Sequence, residues 1–398
     1  MLFTLIIGNC FKIGKMIGSL TFGVFIYTII QIILLLIIFS LMIKYMSKLN
    51  VPSYILILSI LFIGLNPVIA TNSVASLKDV QYAIFNLVYV IILLQIVMDK
   101  NILNNSKKII ILIISMLLIM MFRNNGIYTI VLSFPSLFFL YKNKIKKLII
   151  IFLIPLSIFT IYNDIILPYY KISNGSIREV LNIPFMQIAR TVHYHKDDFT
   201  IKDKEIINRV LDFDRIGAMY EANLSDYVKN TYKKDATKYD LIEFFKVWIK
   251  YLIKHPLTYI ESFISSYYGY FYPINADNLL IYDYNFVYIE DMNNYINIRK
   301  SKKNNDIKNT MNIILITYYN SPFSLSNSAY YNWYLILTII SLLKKKRYKY
   351  IVPLLPLFIT LLVCLASPVN GSIRYTLPIV FSLPIIISIN YITRIQDK

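Results

Sequence analysis

The stretch Lys78–Lys100, KDVQYAIFNLVYVIILLQIVMDK, decides the fold class. Between its charged ends, residues 80–98 hold no Asp, Glu, Lys or Arg. A helix rises about 1.5 Å per residue, so the run reaches across most of the roughly 30 Å of bilayer hydrocarbon. Eight further apolar runs accompany it, at about 17–43, 54–70, 109–121, 127–141, 148–168, 330–343, 350–367 and 375–393. The pair 109–121 and 127–141 is short and flanks Arg123-Asn124-Asn125-Gly126. It reads as two spans meeting at a tight polar turn, or as one broken helix. Segment 330–343 is also short, but Tyr330, Tyr331, Trp333 and Tyr334 form an interfacial aromatic belt at its start. The expected fold is an all-α integral membrane protein of about nine transmembrane helices.

The acids mark where water is. Eighteen of the 22 Asp and Glu residues fall between 169 and 331, leaving Asp79, Asp99, Asp164 and Asp397 for everything else. Ionised carboxylates are expensive in lipid, so one block is solvated by water and most of the chain by lipid. Three regions follow: about six spans over 1–168, a mainly helical exterior domain over 169–329, and about three spans over 330–398. A 57% hydrophobic and 16% charged composition is far from that of soluble domains. The net charge of +19 does not point to nucleic acid, because the water-solvated block is nearly neutral, with 20 Lys/Arg against 18 acids. The remaining basic residues sit between the apolar runs, the pattern of orientation charges in a lipid bilayer. Cys10 and Cys364 offer neither a disulfide framework nor metal-ligand spacing.

Those basic residues also set orientation. One set of loops carries sixteen, including Lys44, Lys48, Lys107, Lys108, Lys142–Lys147 and Lys344–Lys349; the opposite set carries only Lys12, Lys15, Lys78, Arg123 and Arg374. The richer set belongs in the cytoplasm. The domain 169–329 and the turns 71–79, 122–126 and 368–374 then face outward from the cytoplasmic membrane. The N-terminus also falls outside with no span before it, which leads to the expectation that an upstream span is missing.

Within the water-solvated block, residues 241–254 predict a helix with Lys246, Lys250 and Lys254 on one stripe. Phe244, Phe245, Trp248, Ile249 and Leu252 cover much of the rest, and His255-Pro256 ends the helix. Such a helix lies on a membrane, or packs with one face in water. The aromatic run Tyr267–Tyr272 continues the interfacial character, and residues 292–310 read as a flexible surface loop.

Three separated turns each bring a cation to the same leaflet: Lys78 beside Asp79, Arg123 with Asn124 and Asn125, and Arg374 before Tyr375. Guanidinium and ammonium groups suit a phosphate or pyrophosphate. A carboxylate among them suits a general base or a divalent-metal ligand. The plainer reading is that these residues are interfacial anchors and helix caps. Asp164 stands near the outer end of 148–168. His193 and His195 alternate, but no nearby carboxylate or Cys pattern completes a metal site, so a surface role is expected. There is no phosphate-binding Gly-rich loop and no Ser nucleophile elbow.

Four stretches, Ser76-Leu77-Lys78-Asp79, Phe122–Tyr128, Ile183–Arg190 and Ser367–Tyr375, together with Asp226 through His255-Pro256 to Tyr272-Pro273, resemble a family of polytopic bacterial envelope proteins related to GT-C glycosyltransferases. The resemblance covers nearly the whole chain. It implies transfer of a sugar from a polyprenyl-phosphate donor to an envelope acceptor at the outer face, with a divalent metal as an open question. It implies Asp79 in the acidic role, and Lys78, Arg123 and Arg374 on the phosphate. Asn124 and Asn125 would bind sugar or phosphate oxygens, and Gln187 and Arg190 would close the site. GT-C enzymes characteristically carry an essential acid in a large first exterior loop, whereas no Asp or Glu precedes Asp79 here. The expectation is therefore a lipid-linked sugar transferase, or a truncated or inactive form of one. The alternatives are a polysaccharide polymerase, a lipid-linked oligosaccharide transporter and a non-catalytic scaffold.

Overall fold

The computed structural model describes residues 2–172, 177–273 and 325–395, which excludes the expected surface loop 292–310. The described residues are helical, with no strand beyond an isolated antiparallel bridge between Leu224 and Val369. In chain order the helices are α1 (Leu2–Met16), α2 (Leu20–Lys48), α3 (Ser53–Leu65), α4 (Pro67–Val74), α5 (Lys78–Met98), α6 (Ser106–Phe122), α7 (Gly126–Ser133), α8 (Ser136–Leu140), α9 (Ile145–Ile161) and α10 (Leu167–Tyr169). There follow α11 (Asn182–His195), α12 (Ile201–Asn208), α13 (Phe213–Ile216), α14 (Asp226–Lys229), α15 (Lys238–Lys254) and α16 (Pro256–Tyr267). Beyond residue 324 come α17 (Ser328–Lys344), α18 (Leu355–Cys364) and α19 (Leu377–Ile395).

Among the described residues, four helical stretches are long and apolar enough to cross a membrane: Leu20–Lys48, Lys78–Met98, Lys142–Tyr169 and Ile373–Ile395. A fifth is reached if α3 and α4, bent by 50°, count as one span. The bend has a local cause. Pro67 cannot donate a backbone hydrogen bond and pushes the preceding Asn66 into extended backbone, where its side chain caps Val68 N at 2.9 Å. Four of the nine expected spans are shorter helices: α6 and α17 have 17 residues each, and Gly126–Leu140 and Tyr348–Cys364 are also under 18. The sequence reading also left residues 2–16 without a helix; they form α1, packed against α2.

Burial separates the long helices. On α5, 83% of the apolar window is inside the fold, against 22% on α2 and 17% on Lys142–Tyr169. The two peripheral helices turn Ile30, Ile33, Leu36, Ile150 and Leu153 outward, each half exposed or more. A water-soluble protein rarely leaves so long an aliphatic face uncovered; lipid solvates one without cost.

The described residues form two cores. The larger runs from Leu35 to Ile389 and is centred on α5. The smaller is built only from residues 181–259, with Phe185, Ile188, Phe213, Phe244 and Tyr251 at its heart. The segment 367–371 joins them. Asn182 Nδ2 donates to Ser367 O at 2.8 Å, Ser225 N donates to Pro368 O, and Asn370 bonds Asn223, Ser265 and Gly269. Gly371 takes φ +62° with its Cα face against Gly269 backbone, so a Cβ there would meet three backbone atoms near 3.0 Å.

Candidate functional site

Asp79 is the second residue of α5, at the positive end of the helix, where a carboxylate is favoured. A polar clamp fixes the chain just before it. Gln31, buried on α2, donates to the carbonyl oxygens of Asn72, Ser73 and Ala75 at 3.2, 2.8 and 3.0 Å. Its Oε1 accepts from Tyr27 and from Gln81 of α5. One turn deeper, Tyr82 OH lies 2.9 Å from Thr129 Oγ1 and 3.3 Å from Thr360 Oγ1, tying α5 to α7 and α18.

Two arginines meet at this carboxylate. Arg123 Nε is 3.4 Å from Asp79 Oδ1, and Arg374 Nε is 3.3 Å from Oδ2. Arg123 is the residue closing α6, and the tight turn after it depends on Gly126, whose added Cβ would lie 2.4 Å from Ile119 O. Arg374 enters from the joint segment through the short turn Ile373–Thr376. Tyr375 stacks with both guanidiniums, its ring centre 4.7 Å from Arg123 Cζ and 4.8 Å from Arg374 Cζ, and its hydroxyl accepts from Arg374 at 2.8 Å.

The Asp79 side chain is 4% exposed, Arg123 13% and Arg374 34%. At about 3.4 Å and an effective dielectric near 20, each contact is worth roughly 5 kcal/mol of attraction, which desolvation largely offsets. Asp79 Oδ1 accepts no well-aligned hydrogen bond, so charge rather than a bidentate fork holds it. Among the described residues, Arg123 and Arg374 thus share the one carboxylate of Asp79. Among those residues the cluster's donor set does not fit a divalent ion, because the one carboxylate stands between two guanidiniums.

The other candidates fall in different surroundings. Lys78, Asn124 and Asn125 are exposed, next in sequence to members of the cluster. Asp164 is exposed in the π-helical turn Tyr162–Ile166. Gln187 is buried in the smaller core, donating to Tyr259 O at 3.3 Å and accepting from Trp248 Nε1 at 3.0 Å. Arg190 bonds Glu261 at 2.7 Å and Tyr220 at 3.1 Å. Their partners, Tyr194, Tyr220, Trp248, Tyr259 and Glu261, all belong to the smaller unit and not to the Asp79 cluster.

Sequence reasoning passed over two features. Tyr82 and Tyr375 form the aromatic walls of the cluster; the legible signal was a polar stripe on α5, with Asp79, Tyr82, Asn86 and Tyr89 at helical spacing in an apolar span. The second feature is that His195 has company. Asp198 and His255 place a ligand atom each within 4.8 Å of it, and the two imidazoles stack at 4.1 Å. His255 Nε2 lies 2.8 Å from Asp198 Oδ2 and Lys254 Nζ lies 3.2 Å from Oδ1, so the carboxylate is already engaged by a cation. Burial and the adjacent His195 hold the His255 pKa below its ordinary value, against the pull of Asp198. His193 stands apart, with Nδ1 2.7 Å from Gly217 O.

No curated protein and no solved structure matches the chain. A family model covers residues 1–395, and the chain belongs to that family, described as a family of unknown function, DUF6020.

Proposed function

We propose that the protein lies in the cytoplasmic membrane, with about nine spans and residues 169–329 outside. There it transfers a sugar from a polyprenyl-phosphate-linked donor to an envelope acceptor. The observation that carries this reading is the convergence of two guanidiniums, Arg123 and Arg374, on the buried carboxylate of Asp79. In such a transfer the bond from the anomeric carbon to the phosphate oxygen breaks as the acceptor oxygen attacks. Negative charge grows on the phosphate, and the acceptor hydroxyl loses a proton. Arg123 and Arg374 are placed to neutralise the phosphate, and Asp79 to orient the hydroxyl and take its proton. Lys78, Asn124 and Asn125, exposed beside them, supply donors for phosphate and sugar oxygens. Gln187 and Arg190 enter only through the smaller core that they brace. The outward aliphatic faces of α2 and α9 suit the polyprenyl tail.

The smaller core also presents apolar rows. Ile242, Ile249 and Ile253 share one face of α15, and Leu257, Ile260 and Ile264 one face of α16; all are at least half exposed. Meanwhile Phe244, Val247 and Tyr251 pack inward, and Lys246, Lys250 and Lys254 pair with Glu243, Asp203 and Asp198. The helix expected at 241–254 is thus a packed helix with a further apolar face suited to the membrane surface.

A second reading has its own support. Because each guanidinium already engages Asp79, the triad is equally a strut that joins α5, α6 and the 367–376 segment in a non-catalytic scaffold. Binding of a short-chain polyprenyl phosphate, compared with the uncharged polyprenol, separates the two. A sugar transferase binds the phosphate better and loses that preference in Arg123→Ala. Equal binding of both lipids leaves the strut.

A further inference from the structure

Away from the Asp79 cluster, a groove of about 470 Å³ opens between α2, α5 and α6. It lies where α2 ends at Lys48, α5 ends at Met98 and α6 begins at Ser106, so three helix ends meet at one level. Lys44, Lys48 and Lys108 line it, no acidic residue does among the described residues, and apart from Tyr45 and Gln95 the wall is aliphatic side chains of the same three helices. None of the three lysines makes an ion pair among the described residues. Two polar atoms in the lining also lack partners: Tyr45 Oη and Gln95 Oε1 are buried and form no hydrogen bond. Buried polar atoms left so are uncommon and costly, and they ask for a ligand.

We propose that this groove binds an anionic phospholipid whose headgroup carries a free hydroxyl, of the phosphatidylglycerol type. The phosphate sits among Lys44, Lys48 and Lys108, helped by the positive end of α6, where Asn105 caps Lys108 N at 3.2 Å. Tyr45 donates its hydroxyl proton to a phosphate or ester oxygen. Gln95 Oε1 accepts from the headgroup hydroxyl, which a choline headgroup does not offer. An acyl chain follows the aliphatic wall inward. A free phosphate satisfies the lysines but leaves that wall and Gln95 Oε1 without a partner.

The test uses the full chain, purified and delipidated in neutral detergent, with its thermal unfolding followed as lipid is added. Phosphatidylglycerol stabilises the protein saturably, whereas phosphatidylcholine and inorganic phosphate do not. Replacing Lys44, Lys48 and Lys108 together by Gln raises the half-saturating concentration on the order of 10- to 100-fold, from the loss of three basic contacts. Replacing Lys142, Lys146 and Lys147 by Gln, an equal change of charge outside the groove, leaves it unchanged. Tyr45→Phe weakens the response severalfold with all three lysines intact. Equal stabilisation by both phospholipids, an equal effect of the two lysine triples, or saturation by inorganic phosphate alone would overturn the proposal.

Discussion

Arg123 and Arg374, far apart in the chain, each take one oxygen of the same buried carboxylate: Nε to Asp79 Oδ1 at 3.4 Å and Nε to Oδ2 at 3.3 Å. The carboxylate therefore competes with any anion that approaches the two guanidiniums. In the proposed transfer, a substrate phosphate takes over part of what Asp79 now supplies, and in doing so releases the carboxylate to act on the acceptor hydroxyl.

That competition has a measurable sign. In Asp79→Asn, sugar transfer from a lipid-linked donor is expected to fall to background, since the amide keeps the shape and loses the base. Binding of a polyprenyl phosphate is expected to tighten, because the carboxylate no longer competes for the two guanidiniums. Transfer assays in membranes and direct lipid binding read the two effects separately. Undiminished transfer by Asp79→Asn would sink the catalytic assignment.

Truncating either arginine works in the opposite direction. Arg123→Ala and Arg374→Ala each remove one partner of a largely desolvated charge pair, a loss on the order of 2–5 kcal/mol. Polyprenyl-phosphate binding should weaken accordingly, with Arg123→Ala the more severe because its side chain is the more buried of the two. Lys346→Ala, in an exposed basic loop, should change binding little. Equal affinity in all three variants would reduce the arginines to anchors.

The smaller core carries its own pH dependence. Asp203 is buried, and burial disfavours its charge. Hydrogen bonds from Lys250 at 2.5 Å, Thr200 at 2.6 Å and Tyr251 at 3.0 Å outweigh that and hold its pKa below the ordinary value. A carboxylate with a depressed folded-state pKa contributes stability above its unfolded value and loses it as pH falls through the folded one. Protection of the α12 and α15 amides, measured against the intrinsic exchange rate at each pH, should therefore be full near neutrality and fall below about pH 4. Asp203→Ala should lower it already at neutral pH, by about 2–3 kcal/mol, since half-exposed Lys250 is readily rehydrated. The same acid response in Asp203→Ala as in the parent chain would remove Asp203 as its cause.

What the sequence revealed, and what it concealed, follows from the range of the forces involved. The span 80–98 was legible because nineteen residues without a formal charge permit few other structures, and α5 covers it from Lys78 to Met98. The break at Asn66-Pro67 was hidden inside a single apolar run, because hydropathy does not register the backbone constraint of proline. Of the expected site, Asp79, Arg123 and Arg374 converge because each begins or ends a buried helix at the same level. Gln187 and Arg190 lie in a different core, which no local pattern announces. The meeting of His195 with His255 was invisible for a similar reason: the contact depends on how α11 and α15 pack.

Orientation is the last expectation and the one on which the proposed chemistry depends. From sixteen basic residues on one set of loops against five on the other, Lys142–Lys147 and Lys344–Lys349 are expected inside. The turn at Asn124 and the unit around Lys196 are then expected outside. Asn124, Lys146, Lys196 and Lys346 lie at the surface, so a cysteine at any of them is reachable from its own side. The native Cys10 and Cys364 are both buried and give little background. Treatment of intact cells with a membrane-impermeant maleimide should label Asn124→Cys and Lys196→Cys. Lys146→Cys and Lys346→Cys should react only after the membrane is opened. The reverse pattern would turn the Asp79 cluster toward the cytoplasm, where an outer-face sugar transfer has no place.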